Sequence, residues 1–492
     1  FFAEGDGYLA FASEISALRL FPGIDLSPDP QAISDFASLL FVPAPLTIHR
    51  GMRALEPGTF LDCRLRADGR IESAIRTFHY FSIAPNAELT LGEAVEQAET
   101  LVENAVVRQL ESDVPLGALL SGGIDSSLVS LFAQRHASSD LLTFNVRMPD
   151  PSYDETWAAE AVAARIGSCH RILEMDGSRR GTWDEVTGLL RHVGQPFADT
   201  SLFAVDAVSR AMREHVTVAL SGDGGDEGFG GYEAYWNITA VDQLRRAPPF
   251  LWLAAARVFN QLSHVRLVRP TLSRRLRDLA GADDASVVQT LFSWVREREH
   301  RELLADPDAA EPPRRLFEHR WPLSLNGHRS IDRLSARVLE VNLRLVLPNQ
   351  FLAKVDTASM RHSLEVRVPM LDEDLIDFGL TLPHALRVER RTGKRVLRGL
   401  AARHLPAAVV ERPKQGFSVP VDRWVDAEFK DNVRDALLET RSPISEPLDR
   451  RVYAPWVNAF CTDRNQPGIS RQGLYQRVIM LLALDLSLRE FT

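Results

Sequence analysis

Two short strings in this sequence combine glycines, hydroxyls and carboxylates in a pattern suited to a phosphate chain. The first, Leu119-Leu120-Ser121-Gly122-Gly123-Ile124-Asp125-Ser126-Ser127, leaves an apolar run that reads as a strand. Its glycines let the backbone turn tightly and bring successive N–H groups to one point, where the next helix also presents its positive end. Ser121, Ser126 and Ser127 can add hydroxyl donors, while the Gly-x-x-x-x-Gly-Lys-Ser/Thr pattern of kinases and GTPases is missing. A bare Ser-Gly-Gly turn is more often an ordinary connection in which Asp125 or Ser126 merely caps the helix. The complete string after an apolar strand reverses that preference.

The second string, Ser221-Gly222-Asp223-Gly224-Gly225-Asp226-Glu227-Gly228-Phe229-Gly230-Gly231-Tyr232, leaves another apolar strand. Its carboxylates and glycines read as a flexible acidic loop suited to Mg²⁺, which takes oxygen ligands and shares them with substrate phosphates. The plainer alternative is a solvated Gly-Asp turn. A calcium-binding EF-hand is ruled out because the glutamate that closes such a loop is absent at the required spacing.

The elements that must position these strings follow from periodicity. Thr90 and Glu93 form a capping-box signal, and Leu91, Ala94, Val95, Ala98, Leu101, Val102, Ala105 and Val106 recur at three- and four-residue steps, predicting an amphipathic helix that ends near Ser112. Strands are predicted over 114–120, 141–146, 171–175 and 216–220. Helices are predicted over 126–136, 154–166, 182–193 and 201–214. Alternation at this spacing argues for βαβ units and an open parallel sheet, whose ligands sit beyond the carboxyl ends of the strands. Beyond residue 235 the chain reads as mainly helical. Before residue 86 it reads as a partial β-rich domain, opening with a hairpin about Gly5-Asp6-Gly7.

Composition sets the outer bounds. The 492 residues carry 57 Lys and Arg against 66 Asp and Glu, a net charge of −9, with neither sign gathered into a long run. A nucleic-acid surface, which needs a positive patch, is not expected. Cys63, Cys169 and Cys461 lie far apart with no metal-type spacing, which fits a reducing compartment without a disulfide framework. The most apolar runs, 250–259 and 478–484, fall short of a membrane span. The expected location is the cytoplasm.

The first string resembles the pyrophosphate loop of ATP pyrophosphatases, enzymes that adenylate a substrate oxygen and release pyrophosphate. The second closely resembles the SGDGGDELFGGY segment of asparagine synthetases, departing at Gly228, where that family usually has Leu. Two further segments agree: 347–372, similar to the family's LP…KVD…LEVRVPFLD region, and 412–420, similar to its RPKQGF-VP loop. Read by itself, the former is a helix stopped by Pro369, with Glu365 and Arg367 as buried or half-buried ion-pair formers; a structural role and a substrate role stand equal there.

The resemblance implies an α/β fold: an open parallel sheet of the ATP-pyrophosphatase (adenine nucleotide alpha hydrolase-like) type with a largely helical C-terminal part, over residues 86–492. Residues 1–85 would be the C-terminal remnant of an N-terminal-nucleophile glutaminase domain. It also implies ATP and Mg²⁺ as cofactors. Ser121, Gly122, Gly123, Asp125, Ser126, Ser127, Ser221 and Gly222 would hold ATP and pyrophosphate, and the backbone of Leu119 and Val146 would touch adenine. Asp125 and Asp226 would bridge the metal, Lys414 would neutralise the transferring phosphate, and Asp223 would act as general base toward incoming ammonium. Arg147 stands where many relatives have Gly, so it either narrows the nucleotide pocket or points to solvent.

The implied partners are small molecules, aspartate with glutamine or ammonia, without nucleic acid or membrane and with a homodimer as an option. The family's glutaminase nucleophile is an N-terminal Cys, and no such motif stands here; Cys63 reads as structural. Either the sequence is a fragment of a longer protein, which the Phe-Phe start favours, or it uses ammonia from another source; as given, it is expected to make asparagine from ammonia and not from glutamine. Other amide-forming relatives, acting on β-lactam precursors, lasso peptides or sugar acids, share these loops and differ in the acceptor pocket. A catalytically silent nucleotide-binding scaffold is the alternative from another class.

Overall fold

The protein is described by a computed structural model covering residues 1–148, 154–174, 181–245, 248–264, 282–322, 329–412, 425–439 and 442–489. Its centre is a five-stranded parallel sheet of β5 (Leu116–Leu119), β6 (Leu142–Arg147), β7 (Cys169–Glu174), β8 (Val218–Leu220) and β9 (Glu365–Arg367), in the order β7-β6-β5-β8-β9. The chain lays down β5, β6 and β7 in one direction and then crosses back to add β8 on the other side of β5. The gap between the ends of β5 and β8 is therefore a topological switch point, where loops diverge and leave a crevice.

Alternation along the strands assigns each residue to a face. Ala118, Leu120 and Leu220 pack with the helices Leu91–Arg108, Ile124–His136 and Thr156–Ile166, whereas Phe144 and Ala219 pack with Val208, Met212 and Leu364 on the opposite face. The helix Leu91–Arg108 starts with the expected capping box, Thr90 N–H donating to the Glu93 carboxylate at 2.9 Å, and buries Ala94, Val95, Ala98, Val102, Ala105 and Val106. The predicted strands and helices between residues 114 and 220 all occur, most of them displaced by one or two residues at an end.

The segment after residue 347 differs from its sequence reading. The helix Ala353–Met360 ends well before Pro369; Ser363 takes a left-handed φ of 56°, and Glu365–Arg367 becomes the edge strand β9, paired in parallel with β8. The Glu365–Arg367 ion pair does form, at 2.6 Å, but Glu365 is exposed and only Arg367 is half-buried.

At the N-terminal end, β1 (Phe2–Gly5) and β2 (Tyr8–Phe11) make the expected hairpin, and β3 (Thr59–Leu65) and β4 (Ile71–Thr77) make a second. Cys63 lies exposed on β3. Between the hairpins, the helix Pro30–Leu39 contributes Phe36 and Leu39 to the same large core as the C-terminal helix Arg471–Arg489. That last helix is buried on every side, which accounts for the apolar run at 478–484; no described helix is long and apolar enough to cross a membrane.

The ring of Phe144 is fully buried and packs with Val208, Met212 and Leu364. A Cβ on Gly117 would stand 2.8 Å from it, so the glycine is what lets the ring lie across β5. Phe144→Ala is expected to lower unfolding free energy by about 3–5 kcal/mol, the usual cost of emptying a buried aromatic site, read from the urea midpoint.

Candidate functional site

The loop after β5 is shaped by its own side chains. Leu120 N–H still donates to the Phe144 carbonyl at 2.7 Å, after which Ser121 N–H turns inward to Ser126 Oγ at 3.2 Å. Gly122 has φ +71°, and a Cβ there would stand 2.7 Å from both Ala158 Cβ and Ala159 N. Both the left-handed backbone and the close approach demand glycine. Gly123 is extended, and its N–H donates to Ser121 Oγ at 3.2 Å. The helix then begins at Ile124 with Gly123 as N-cap and no side-chain cap, so neither Asp125 nor Ser126 plays the capping role that an ordinary turn would give it. Ser127 is fully buried, its hydroxyl without a hydrogen-bond partner among the described residues.

The acidic segment is not a solvated turn: most of it is buried. Ser221 N–H donates to the Arg367 carbonyl at 2.8 Å, and Ser221 Oγ–H donates to Asp223 Oδ2 at 2.5 Å. Residues Gly225–Phe229 then form a short, mostly buried helical turn. Glycines press this segment against the first loop. A Cβ on Gly222 would fall 2.6 Å from Ser126 N, and one on Gly225 would fall 2.5 Å from the Asp125 carboxyl carbon. The two strings are thus one site at the switch point.

Its centre is a residue that the sequence did not single out. Lys394 is buried, and its ammonium contacts both Asp125 Oδ2 and Asp226 Oδ1, the latter at 2.7 Å. Burial opposes the charged form of this lysine, but the two carboxylates outweigh it and hold the pKa above the ordinary value. Glycines again make room. A Cβ on Gly231 would overlap the Asp226 carboxylate and the Lys394 stem, and one on Gly393 would overlap the Gly230 carbonyl. The only sequence signal is Thr392-Gly393-Lys394 before a helix, too short to stand out in a single chain.

A second buried layer supports the acidic turn. Tyr232 O–H donates to Glu227 Oε1 at 2.5 Å, Tyr235 O–H to the Glu227 carbonyl at 3.0 Å, and Asn342 to Tyr235 at 3.1 Å. Burial, reinforced by Asp226, pushes the Glu227 carboxyl up to about 7. The fully buried Arg387 donates to the carbonyls of Gly228 and Gly379. Gly228 departs from the leucine usual in the resembled motif, and a Cβ there would already stand 3.3 Å from Ile376 Cδ1.

Two further cationic residues flank the loops. Arg412 pairs with Glu155 at 2.7 Å, and its guanidinium lies 4.0 Å from where a Cβ on Gly123 would be. Arg398 donates to the Gly393 carbonyl at 3.2 Å. Lys414 lies outside the described residues. Leu119 and Val146 stand near the carboxyl ends of adjacent strands β5 and β6, while Arg147 pairs across the strands with Glu174 at 2.7 Å on the solvent side. Lys354 is engaged elsewhere, with Ser201 at 2.8 Å and Asp199 at 3.4 Å.

The donor set fits Mg²⁺. Asp125 and Asp226 already converge on one cation, the Lys394 ammonium, and no cluster of three or more ligating side chains exists among the described residues. Two carboxylates completed by phosphate oxygens are the usual arrangement for this ion, rather than an all-protein cage.

The glycine geometry separates two substitutions. Gly122→Ala is expected to destabilise the fold by about 2 kcal/mol or more, from the left-handed backbone and the overlap with Ala158, whereas Gly123→Ala meets only the movable Ser121 hydroxyl and should leave the thermal midpoint within a degree or so. Equal midpoints for the two variants would contradict this loop conformation.

Comparisons with known proteins agree with the geometry. The family model described as asparagine synthase matches residues 97–488. Similar proteins include asparagine synthetase 1, glutamine-hydrolysing, of Bacillus subtilis, 28% identical over 88% of this chain and 65% of its own length. Asparagine synthetase B of Escherichia coli is 28% identical over 92% of this chain and 66% of its own length. A Mycobacterium tuberculosis protein provisionally named a glutamine-hydrolysing asparagine synthetase is 29% identical over 87% of this chain. The chain spans 64% of that last relative's length, just under two thirds. With a matching region that contains both loops, Lys394 and β9, this chain belongs to the asparagine synthase family.

Proposed function

We propose that this chain uses ATP to convert aspartate to asparagine through a β-aspartyl-adenylate. The observation that supports this most is the meeting of the Ser121–Ser127 loop with Asp125, Asp226 and Lys394 at the switch point of the parallel sheet. A carboxylate does not accept an amine at neutral pH because its oxygen is a poor leaving group. Adenylation removes that obstacle: a side-chain carboxylate oxygen of aspartate bonds to the α-phosphorus of ATP, and the bond from that phosphorus to the bridging oxygen breaks to release pyrophosphate. Ammonia then bonds to the activated carbonyl carbon, loses a proton, and expels AMP.

The chain's residues divide this work. The backbone of Ser121–Gly123 and the hydroxyls of Ser121 and Ser126 would exchange their mutual hydrogen bonds for phosphate oxygens. Lys394 lies beside the same loop and would meet the negative charge that grows on the leaving pyrophosphate, and Lys414 would serve the transferring phosphate. Mg²⁺, when held by Asp125 and Asp226, would supply further positive charge to the phosphate oxygens. Asp223, oriented by the Ser221 hydroxyl, would take the proton from incoming ammonium. Leu119 and Val146 would border the adenine, and Arg147, turned to solvent beside Glu174, leaves that border open.

Ammonia is the nucleophile at this site, normally released by glutamine hydrolysis. Glutamine hydrolysis appears in the names of relatives longer than this chain.

The reading is tested by pyrophosphate release from ATP and Mg²⁺ with ammonium and a scan of aspartate, glutamate and sugar acids. Aspartate should be the preferred acceptor, with AMP and asparagine formed in equal amounts; preference for a sugar acid would reassign the acceptor. Asp226→Asn should lower kcat by about a hundredfold or more, since a charge clamp contributes several kcal/mol to such a transition state. Near-normal turnover would remove Asp226 from the site.

A further inference from the structure

The Asp125–Lys394–Asp226 cluster has a consequence for how a metal can enter. We propose that Lys394 is a built-in counter-ion that denies the carboxylate pair to a bare divalent cation and yields it only to a cation arriving with a phosphate chain. The inference rests on the adenylation reading above and specifies the form in which its site accepts metal.

Three observations carry it. The ammonium sits at the junction of the two carboxylates, touching one oxygen of each, which is also where a shared cation would bind. The lysine has little room around that junction. Its stem and the Asp226 carboxylate both lie close against Gly231, and its own backbone takes a left-handed φ of 57° where Gly393 abuts the Gly230 carbonyl. The surroundings are buried, so a second cation placed beside the ammonium would meet it with little screening. A bare Mg²⁺ would face two carboxylates already neutralised in part, beside a positive charge with little room to move.

A phosphate chain changes this balance. The Ser121–Gly123 loop adjoins Asp125, and Gly222 brings the acidic segment within contact of Ser126. Phosphate oxygens held there would give Lys394 a new anionic partner at short range. The carboxylates are then released to the metal, and the phosphate charge offsets the excess positive charge that a bare divalent cation would create. Metal and phosphate would bind as a unit, so Lys394 acts as a specificity-determining residue for metal–nucleotide complex over free metal.

The test is equilibrium dialysis of the whole chain against Mn²⁺, with and without inorganic pyrophosphate at equal concentration, which needs no turnover. Wild type should retain Mn²⁺ only when pyrophosphate is present. Lys394→Met, similar in volume and uncharged, should retain Mn²⁺ alone at least about tenfold more tightly than wild type. Adding Asp226→Asn to it should abolish that gain.

Wild-type retention of Mn²⁺ alone as tight as with pyrophosphate would overturn the inference while leaving the adenylation reading intact. This arm needs no variant and stands even if Lys394→Met does not fold. A folded Lys394→Met with no gain for Mn²⁺ alone would overturn it too. Failure of wild type to retain Mn²⁺ even with pyrophosphate would remove both the inference and the reading beneath it.

Discussion

A buried ammonium between one buried and one half-buried carboxylate is the constraint on which this site depends. Desolvating three charges costs several kcal/mol for each, and close pairing with good geometry is what offsets it. Lys394, Asp125 and Asp226 are therefore interdependent: removing the lysine leaves two facing carboxylates without the ammonium between them, and removing either aspartate leaves the ammonium one of these partners in place of two. The glycines at 222, 225, 231 and 393 follow from this, because each stands where a Cβ would push the charges or their loops apart.

The sheet supplies the common point at which those charges meet. Asp125 stands in the first turn of the helix after β5, Asp226 in the turn after β8, and these strands are neighbours although a whole run of β6 and β7 separates them along the chain. Lys394 arrives from a third direction, at the start of the helix Arg395–His404, whose buried residues Val396, Leu397, Leu400 and Ala401 pack into the same core as Ile124–His136. The hydrophobic contact fixes the helix, and the fixed helix aims the lysine. Beneath the acidic turn, Arg387, Tyr235 and Asn342 satisfy carbonyls and hydroxyls that would otherwise be buried without partners.

The arrangement also explains why the acidic string is ordered. Three carboxylates in close succession would normally repel one another and seek water. Here Asp226 is neutralised by Lys394, Glu227 is buried with a pKa near 7 and a tyrosine on its oxygen, and Asp223 is held by a serine hydroxyl. Each charge is handled differently, so the segment can fold as a helical turn rather than a mobile loop.

The sequence by itself determined the parts whose causes are local. The capping box at Thr90, the apolar periodicity of the helix behind it, the strand-to-helix alternation through residue 220 and the glycine-hydroxyl composition of the first loop are all properties of neighbours in the chain, and they appear where expected. Family membership was legible for the same reason, since the two strings are contiguous. The tertiary structure decided what depends on distant partners. Glu365–Arg367 is a strand only because β8 offers it an edge, so a local reading extended the preceding helix through it. The acidic string read as a flexible loop because a chain read in order does not show the distant Lys394 that pairs with its Asp226. Charge pairing across a fold is a property of contact in space, and no composition or spacing within either loop records it.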